Sequence, residues 1–372
     1  MTTDRSLVPL TPLSHAGQSA NRAAGRTIFH RYIAEKSTNT IKRHARDLEL
    51  FAEYLIDIGI ELEDGADFQT NPSAWNGITW GIVEGFIQWQ LAEDYAISSI
   101  NARLSTIRVY AQMATKAGTI ERNEGMLIQT VKGYSRQAAL NVDDKRDQTR
   151  KDTITYTYKE DGRKQTTVIH RRNTKKRQPT LISAAQADQL LHIRNPSPQA
   201  ARDALLLGLL LEHGLRASEV ALLQAENFDL QQGLFTFHRP KVKGTTHEWT
   251  THQLTSTTHR LATIYLTEHY PTAAPANGSL ILATTRLCKD GTGGELRPAP
   301  LNRVRVSERV AWLGAQVGIM PFSAHDCRHY CATTMARQGY SVDELMTWFG
   351  WTSAQTAVRY IAAAEVQKRH RG

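Results

Sequence analysis

Between residues 145 and 177 the chain carries twelve lysines or arginines against four acids, a net charge of +8 in one stretch. A segment so charged cannot be folded into an apolar core, because each unpaired buried cation would cost several kcal/mol, about 3–5 even where only one partner of an ion pair is lost. It therefore divides the chain into two parts, each of which must bury its own core. A length of 372 residues, too long for one typical domain, independently favours two. The whole chain has a net charge of +9, so nearly all of the excess lies in this one connection.

The connecting segment is not featureless. Thr153 to Tyr158 and Gln165 to Ile169 are β-branched and aromatic runs separated by Glu160-Asp161-Gly162, which predicts a β-hairpin. Two readings stand at this point: a solvated linker with a surface hairpin, or a positively charged clamp that crosses a polyanionic backbone. Arg171, Arg172, Lys175, Lys176 and Arg177 are the candidate contacts for the second reading. A pI near 9.4 favours a polyanionic partner in either case.

On the N-terminal side, residues 1–28 are rich in Ser, Ala, Thr and Pro without period and read as a flexible arm. From Ser37 the pattern turns helical, with Ile41, Ala45, Leu48, Ala52 and Leu55 on one face and a cap available at Ser37 to Asn39. Further helical patterns run from Ile82 to Leu91 and from Ser98 or Ser99 to Ala114. Residues 29–137 thus read as an all-α bundle, and 138–179 as the basic linker.

On the C-terminal side, Ser183 with Gln186 forms a capping box that opens a helix. Ala204 to Leu211 is too apolar to lie anywhere but in a core. Two or three strands follow around Gly233 to His238 and Glu248 to Leu254, and helices return from Asn302. Residues 180–372 read as an α+β domain, mainly helical with a small antiparallel sheet. A hydrophobic fraction of 41% is enough to fill both cores. No apolar run approaches the ~20 residues of a membrane span, and Met1-Thr-Thr-Asp-Arg5 is not the start of a secretion signal. Three cysteines, Cys288, Cys327 and Cys331, suit a reducing cytosol. A cytoplasmic, nucleoid-associated protein that neither spans nor binds a membrane is the expectation.

Chemistry concentrates in three places. Gly214-Leu-Arg216-Ala-Ser-Glu219 follows the apolar helix. By itself, Arg216 with Glu219 could be a surface ion pair worth roughly 0.2–0.5 kcal/mol. At the end of a buried helix, however, a guanidinium needs a partner, and a phosphate gripped by its planar fork would serve. His325-Asp-Cys-Arg328-His329 opens a helix whose N-terminus favours anions, with His325 and Arg328 one turn apart. The interleaved His325, Cys327, His329 and Cys331 do not form a metal site, because residues two apart on a helix lie ~200° apart and cannot converge. Gly350-Trp351-Thr-Ser353 precedes Tyr360 on a third helix. No nucleotide-binding glycine–lysine motif occurs, so neither ATP nor a metal is implied and the expected cofactor is none.

These three boxes, in this order, resemble those of the tyrosine recombinases, the phage integrase family. The resemblance covers most of the chain and implies a SAM-like helical core-binding domain followed by a catalytic domain. It implies that Arg216 and Arg328 clamp the non-bridging oxygens of a scissile DNA phosphate, that His325 accepts the tyrosine proton or hydrogen-bonds the phosphate, and that Glu219 orients its neighbours. Tyr360 would be the nucleophile, forming a 3′-phosphotyrosyl intermediate. Trp351 stands where many relatives carry histidine; its indole N–H can donate to a phosphate oxygen but cannot exchange protons near neutral pH. The family's general-acid lysine lies in a hairpin turn after the first box. Here Lys241 fits that spacing, with Lys243 as the alternative.

The resemblance further implies a double-stranded DNA partner with paired recognition sites, and a homo-oligomer that is a dimer on one site and a tetramer in the synapse. Site-specific recombination of the integrase or transposase kind is the leading expectation. A type IB topoisomerase-like relaxing enzyme and a catalytically silent DNA-binding protein are the alternatives.

Overall fold

The computed structural model describes residues 11–62, 67–149, 153–158, 164–169, 179–192, 197–242, 244–270, 274–275, 277–286 and 294–369. The chain forms two compact units, residues 1–177 and 178–372.

The first unit contains helices α1 (Pro12–Glu35), α2 (Thr38–Asp57), α3 (Trp80–Ala92), α4 (Ile97–Ala117), α5 (Arg122–Thr130) and α6 (Arg136–Thr149), then strands β1 (Thr153–Tyr158) and β2 (Lys164–Ile169). Helix α4 is its centre, with Ile100, Leu104, Ile107, Tyr110, Ala111 and Ala114 buried and α1, α2, α3 and α5 packed around it. An aromatic cluster fills the space beside it: Phe51 stacks on Trp75 at 5.9 Å and meets Phe86 edge-on at 5.1 Å. Ser37 caps α2 as its hydroxyl accepts from Thr40 N. Strands β1 and β2 pair antiparallel from Thr153↔Ile169 to Tyr158↔Lys164, the hairpin its β-branched runs predict.

Two boundaries differ from expectation. Residues 12–28, read as part of a flexible arm, form most of α1, while residues 1–10 lie outside the described residues. Only Gly25 and Phe29 of α1 are buried, so its sequence carries no apolar stripe to betray it. The first part of the basic linker is also helical, as α6 runs on to Thr149.

The second unit contains α7 (Ala184–Leu191), α8 (Pro198–Leu211), the single turn α9 (Ala217–Val220), strands β3 (Phe228–Asp229), β4 (Leu234–His238) and β5 (Trp249–Gln253), α10 (Ser256–Ile264), strands β6 (Leu282–Thr284) and β7 (Leu296–Pro300), and α11 (Arg303–Gln316), α12 (Ala324–Gln338), α13 (Val342–Phe349) and α14 (Ala354–Arg369). Every residue of α8 from Ala201 to Leu211 is buried, and α7, α10 and α12 pack against it. Burying Arg202 and Asp203 in so apolar a helix requires partners. Arg202 Nε donates to Asp203 at 2.7 Å, and Arg309 of α11 donates to the other carboxylate oxygen with Nε at 2.9 Å.

Strands β3, β4 and β5 form an antiparallel sheet in that order, with Phe235 opposite His252 and Phe237 opposite Thr250. Strands β6 and β7 pair separately. The capping box at Ser183 and Gln186 opens α7 as its spacing predicts, and Asn302 caps α11. Cys327 and Cys331 are buried among apolar side chains. Among the described residues, no helix is long and apolar enough to cross a membrane.

Candidate active site

Helix α8 ends at Glu212, and the chain must turn sharply to reach α9. Gly214 makes that turn at φ +66, where a side chain would also collide with the Phe349 ring, 2.4 Å from an added Cβ. The turn delivers Arg216 to the start of α9. There its backbone N–H donates to Glu219 Oε2 at 2.8 Å and its Nη1 to Oε1 at 2.5 Å. This is no surface pair: Glu219 is 1% exposed.

Arg328 approaches the same carboxylate from α12, with Nη1 4.0 Å from Glu219 Oε2. Its guanidinium is 5% exposed and spans two elements, donating from Nη1 to the Gly214 carbonyl and from Nη2 to the Phe349 carbonyl, both at 2.6 Å. Burial lowers its pKa to about 9, with the nearby charge of Arg216 acting in the same direction. It remains a cation at neutral pH.

A third guanidinium, absent from the sequence reading, completes the group. Arg239 follows β4 directly and is 1% exposed. Its Nη1 donates to the Thr347 carbonyl at 3.3 Å and its Nη2 to the Trp348 carbonyl. Burial lowers its pKa to about 10, Glu219 opposing that shift and Arg216 adding to it. The signal for Arg239 was the period of two in β4: Phe235 and Phe237 face inward, and continuing that parity past the strand's end buries residue 239. Two cations thus contact one buried carboxylate and a third lies within range of its charge, so the surplus positive charge is held in a poorly solvated place. Arg216 is the most accessible of the three, its side chain 23% exposed.

The last carbonyls of α13 have no partners within the helix, and these arginines take them. Arg239 holds those of Thr347 and Trp348, and Arg328 holds that of Phe349. Two cations at a helix C-terminus also suit its dipole. Gly350 then turns the chain at φ +60 against Arg239, whose Nη1 would lie 2.6 Å from an added Cβ.

Beyond the turn, Trp351 lies between two rings. It stacks on Phe349 at 4.6 Å and on Tyr360 of α14 at 5.3 Å with an interplanar angle of 5°. Burial raises the Tyr360 pKa above the ordinary phenol value, and Arg328 opposes that rise. An acceptor for its proton is therefore needed before it can attack anything.

Helix α12 is fixed at its start by Asp326, which accepts from Ser323 Oγ at 2.7 Å and from Thr180 N at 2.8 Å. Within this helix His325 is exposed in the first turn, whereas Arg328, three residues on, is buried. His329, one turn on and given no role in the sequence reading, meets the Tyr360 ring edge-on at 4.9 Å. Its pKa is lowered chiefly by burial and also by His325, so it is a neutral imidazole at physiological pH. Its place at the end of the His-x-x-Arg-His run was the available signal.

Lys241 is exposed in the short 3-10 turn Pro240–Val242 that leaves β4, two residues after Arg239. Lys243 lies outside the described residues, as do Arg171, Arg172, Lys175, Lys176 and Arg177.

The family model for the phage integrase family matches residues 180–367. Over 209 residues the chain is 25% identical to tyrosine recombinase XerC of Roseiflexus castenholzii, covering 55% of this chain and 50% of that protein. It is also 25% identical over 185 residues to the type 1 fimbriae regulatory protein FimB of Escherichia coli K12, covering 49% of this chain and 84% of that one. The chain thus spans only half the length of the XerC relative. Among solved structures, the Tn1549 transposon integrase (residues 82–397) in complex with circular intermediate DNA matches with a TM-score of 0.57, covering 93% of this chain and 99% of that one. At 12% identity that likeness is one of fold.

Proposed function

The chain belongs to the phage integrase family, and from that membership we propose that it is a site-specific DNA recombinase of the integrase or transposase kind, working through a covalent tyrosine intermediate. The observation that carries this reading is the pair Arg216 and Arg328 on the single buried carboxylate of Glu219, with Arg239 within range of its charge, beside the partly buried Tyr360. A phosphodiester is the anion such a surplus of charge suits, and cations already in place stabilise its more highly charged transition state.

In the proposed step the Tyr360 oxygen attacks the scissile phosphorus, forming the O–P bond as the bond to the 5′-oxygen breaks. Arg216 and Arg328 hold the non-bridging oxygens. Each terminal nitrogen of Arg328 carries a second hydrogen besides the one given to a carbonyl. His325 is the reading's acceptor for the phenolic proton or donor to the phosphate, with His329 fixing the Tyr360 ring. Lys241 protonates the departing 5′-oxygen. Trp351 buttresses the nucleophile and donates its indole N–H to phosphate. Because the phosphotyrosyl bond keeps the energy of the broken one, religation to a new strand consumes no high-energy cofactor.

The helical unit acts as the DNA-binding domain in this reading, the basic segment as a clamp, and the working form as a dimer on each site and a tetramer across two paired sites. A nicked suicide duplex built from inverted repeats in the DNA flanking the gene tests the chemistry. The wild-type protein becomes covalently attached through Tyr360, while Tyr360→Phe binds without attaching. Failure to form an adduct on any cognate site overturns the enzyme reading. Relaxation of supercoiled DNA without pairing of sites favours the topoisomerase-like alternative.

A further inference from the structure

We infer that Arg239 is a positioning residue that registers the lysine-bearing hairpin against the tyrosine-bearing segment, a role that rests on the reading of Lys241 as general acid. A guanidinium that is 1% exposed is a poor way to fill space, since an apolar side chain of similar size avoids the desolvation penalty. Among the described residues its partners are the main-chain carbonyls of Thr347 and Trp348 and, at 3.5 Å, the His252 Nε2, its Nε has no hydrogen-bond partner, and no carboxylate forms an ion pair with it. It is too deeply buried to touch a substrate phosphate itself. What it does is join two segments.

On one side, the main chain of Arg239 closes the turn that carries Lys241. Its N–H donates to the Glu248 carbonyl at 2.7 Å, and its own carbonyl accepts from Val242 N at 3.1 Å, one residue past the lysine. On the other side, its fork grips the carbonyls of Thr347 and Trp348, immediately before Phe349 and Trp351. Trp351 in turn stacks on Tyr360. One residue thus refers the proton donor and the nucleophile's support to a common frame.

The fit is close and reinforced. The Gly350 turn leaves no room for a Cβ against Arg239. His252 of β5 lies over Trp348 with ring centres 3.9 Å apart, and its Nε2 sits 3.2 Å from the same Trp348 carbonyl that Arg239 holds. The indole nitrogen of Trp348 donates to the His213 carbonyl at 3.2 Å, tying the assembly back to the Gly214 turn. A lysine at 239 keeps the charge but cannot grip two carbonyls in a fixed plane.

A leaving-group substitution separates positioning from folding. Suicide duplexes carrying either the natural 5′-oxygen or a bridging 5′-sulfur at the scissile bond are cleaved by full-length wild type, Lys241→Ala, Arg239→Lys and Arg239→Met. A thiolate leaves without being protonated, so a defect in proton donation disappears on the sulfur substrate. General acid catalysis is worth about 10²–10⁴-fold. A misplaced acid in Arg239→Lys and Arg239→Met is therefore expected to slow the oxygen substrate by about 10–100-fold. The sulfur substrate should be cleaved at nearly the wild-type rate.

Equal slowing of both substrates by both Arg239 variants, or wild-type cleavage of both, overturns the positioning role. Arg239→Lys keeps the charge and guards against loss of fold in Arg239→Met. Lys241→Ala distinguishes the failure of the underlying reading: if the sulfur substrate does not rescue that variant, Lys241 is not the acid, whatever Arg239 does.

Discussion

The rings of Trp351, in the turn that joins α13 to α14, and Tyr360 of α14 lie nearly parallel, 5.3 Å apart with an angle of 5° between them. The stack fixes where the phenol sits, and it is worth about 0.5–1.5 kcal/mol beyond the area it buries. Trp351→Phe keeps a flat ring in that place and should cleave a suicide duplex within a few-fold of wild type, losing only what the indole N–H contributes. Trp351→Ala removes the wall and should slow single-turnover cleavage by roughly tenfold or more, an energy of the order of that stack. DNA affinity should be unchanged. Equal rates for the two variants would show that the ring does not position Tyr360.

Arg216 and Arg328 share a carboxylate but differ in surroundings, and that difference separates their effects. Arg328 is buried and gives both terminal nitrogens to carbonyls of distant segments. Replacing it with methionine orphans the Gly214 and Phe349 carbonyls at about 1–3 kcal/mol each. Arg328→Met should therefore lower both cleavage and stability. Arg216 is more exposed, and its Arg216→Lys variant should lose about 10²–10³ in rate with a shift in denaturation midpoint much smaller than that of Arg328→Met. Urea unfolding beside single-turnover cleavage reads both quantities. Similar destabilisation by the two variants contradicts the division.

Much of this arrangement is local enough to read along the chain. The all-apolar run of α8, the capping box at Ser183 and the β-branched halves of the basic hairpin each declare themselves within a few residues. The three boxes supply Arg216, Arg328 and Tyr360 by spacing. The packing of His329 against Tyr360 is different, because it depends on how α14 lies against α12. Arg328 finds its carbonyl partners at residues 214 and 349, and nothing local announces those pairings. Arg239 was hidden for a related reason: a charged residue at a strand's end is ordinarily solvated, and only the packing of α13 over the sheet edge makes it interior. Helix α1 escaped because it buries so little of itself.

Two histidines give stability a particular dependence on pH. Burial drives the His213 pKa down to about 3, and burial together with the neighbouring His213 and Arg239 holds His252 well below its ordinary value. Both are neutral in the folded protein, whereas in the unfolded chain each titrates near 6.5. The unfolded state therefore binds more protons as pH falls below about 6.5, and stability declines from there toward the folded-state values. Each histidine contributes a slope of up to about 1.4 kcal/mol per pH unit. Urea denaturation at pH 7, 6 and 5 should show the decline, and His213→Phe should reduce its slope by about that amount. An unchanged slope in the variant means His213 takes up its proton without unfolding.

The basic segment is expected to bear on affinity and not on chemistry. If Arg171, Arg172, Lys175, Lys176 and Arg177 lie along a phosphate backbone, each contact releases a counterion, and the log–log dependence of binding on salt steepens by about 0.9 per phosphate. Replacing all five by neutral residues should flatten that slope by up to about 4.5 and weaken binding alike on cognate and random duplexes, since phosphates carry no sequence information. Once DNA is saturated with protein, cleavage of the suicide duplex should proceed at the wild-type rate if the five act on affinity alone. Fluorescence anisotropy across a salt series measures the slope. A slope equal to that of wild type would leave the segment a tether between two units, and a flattened slope with slower saturated cleavage would mean that it also positions the scissile phosphate.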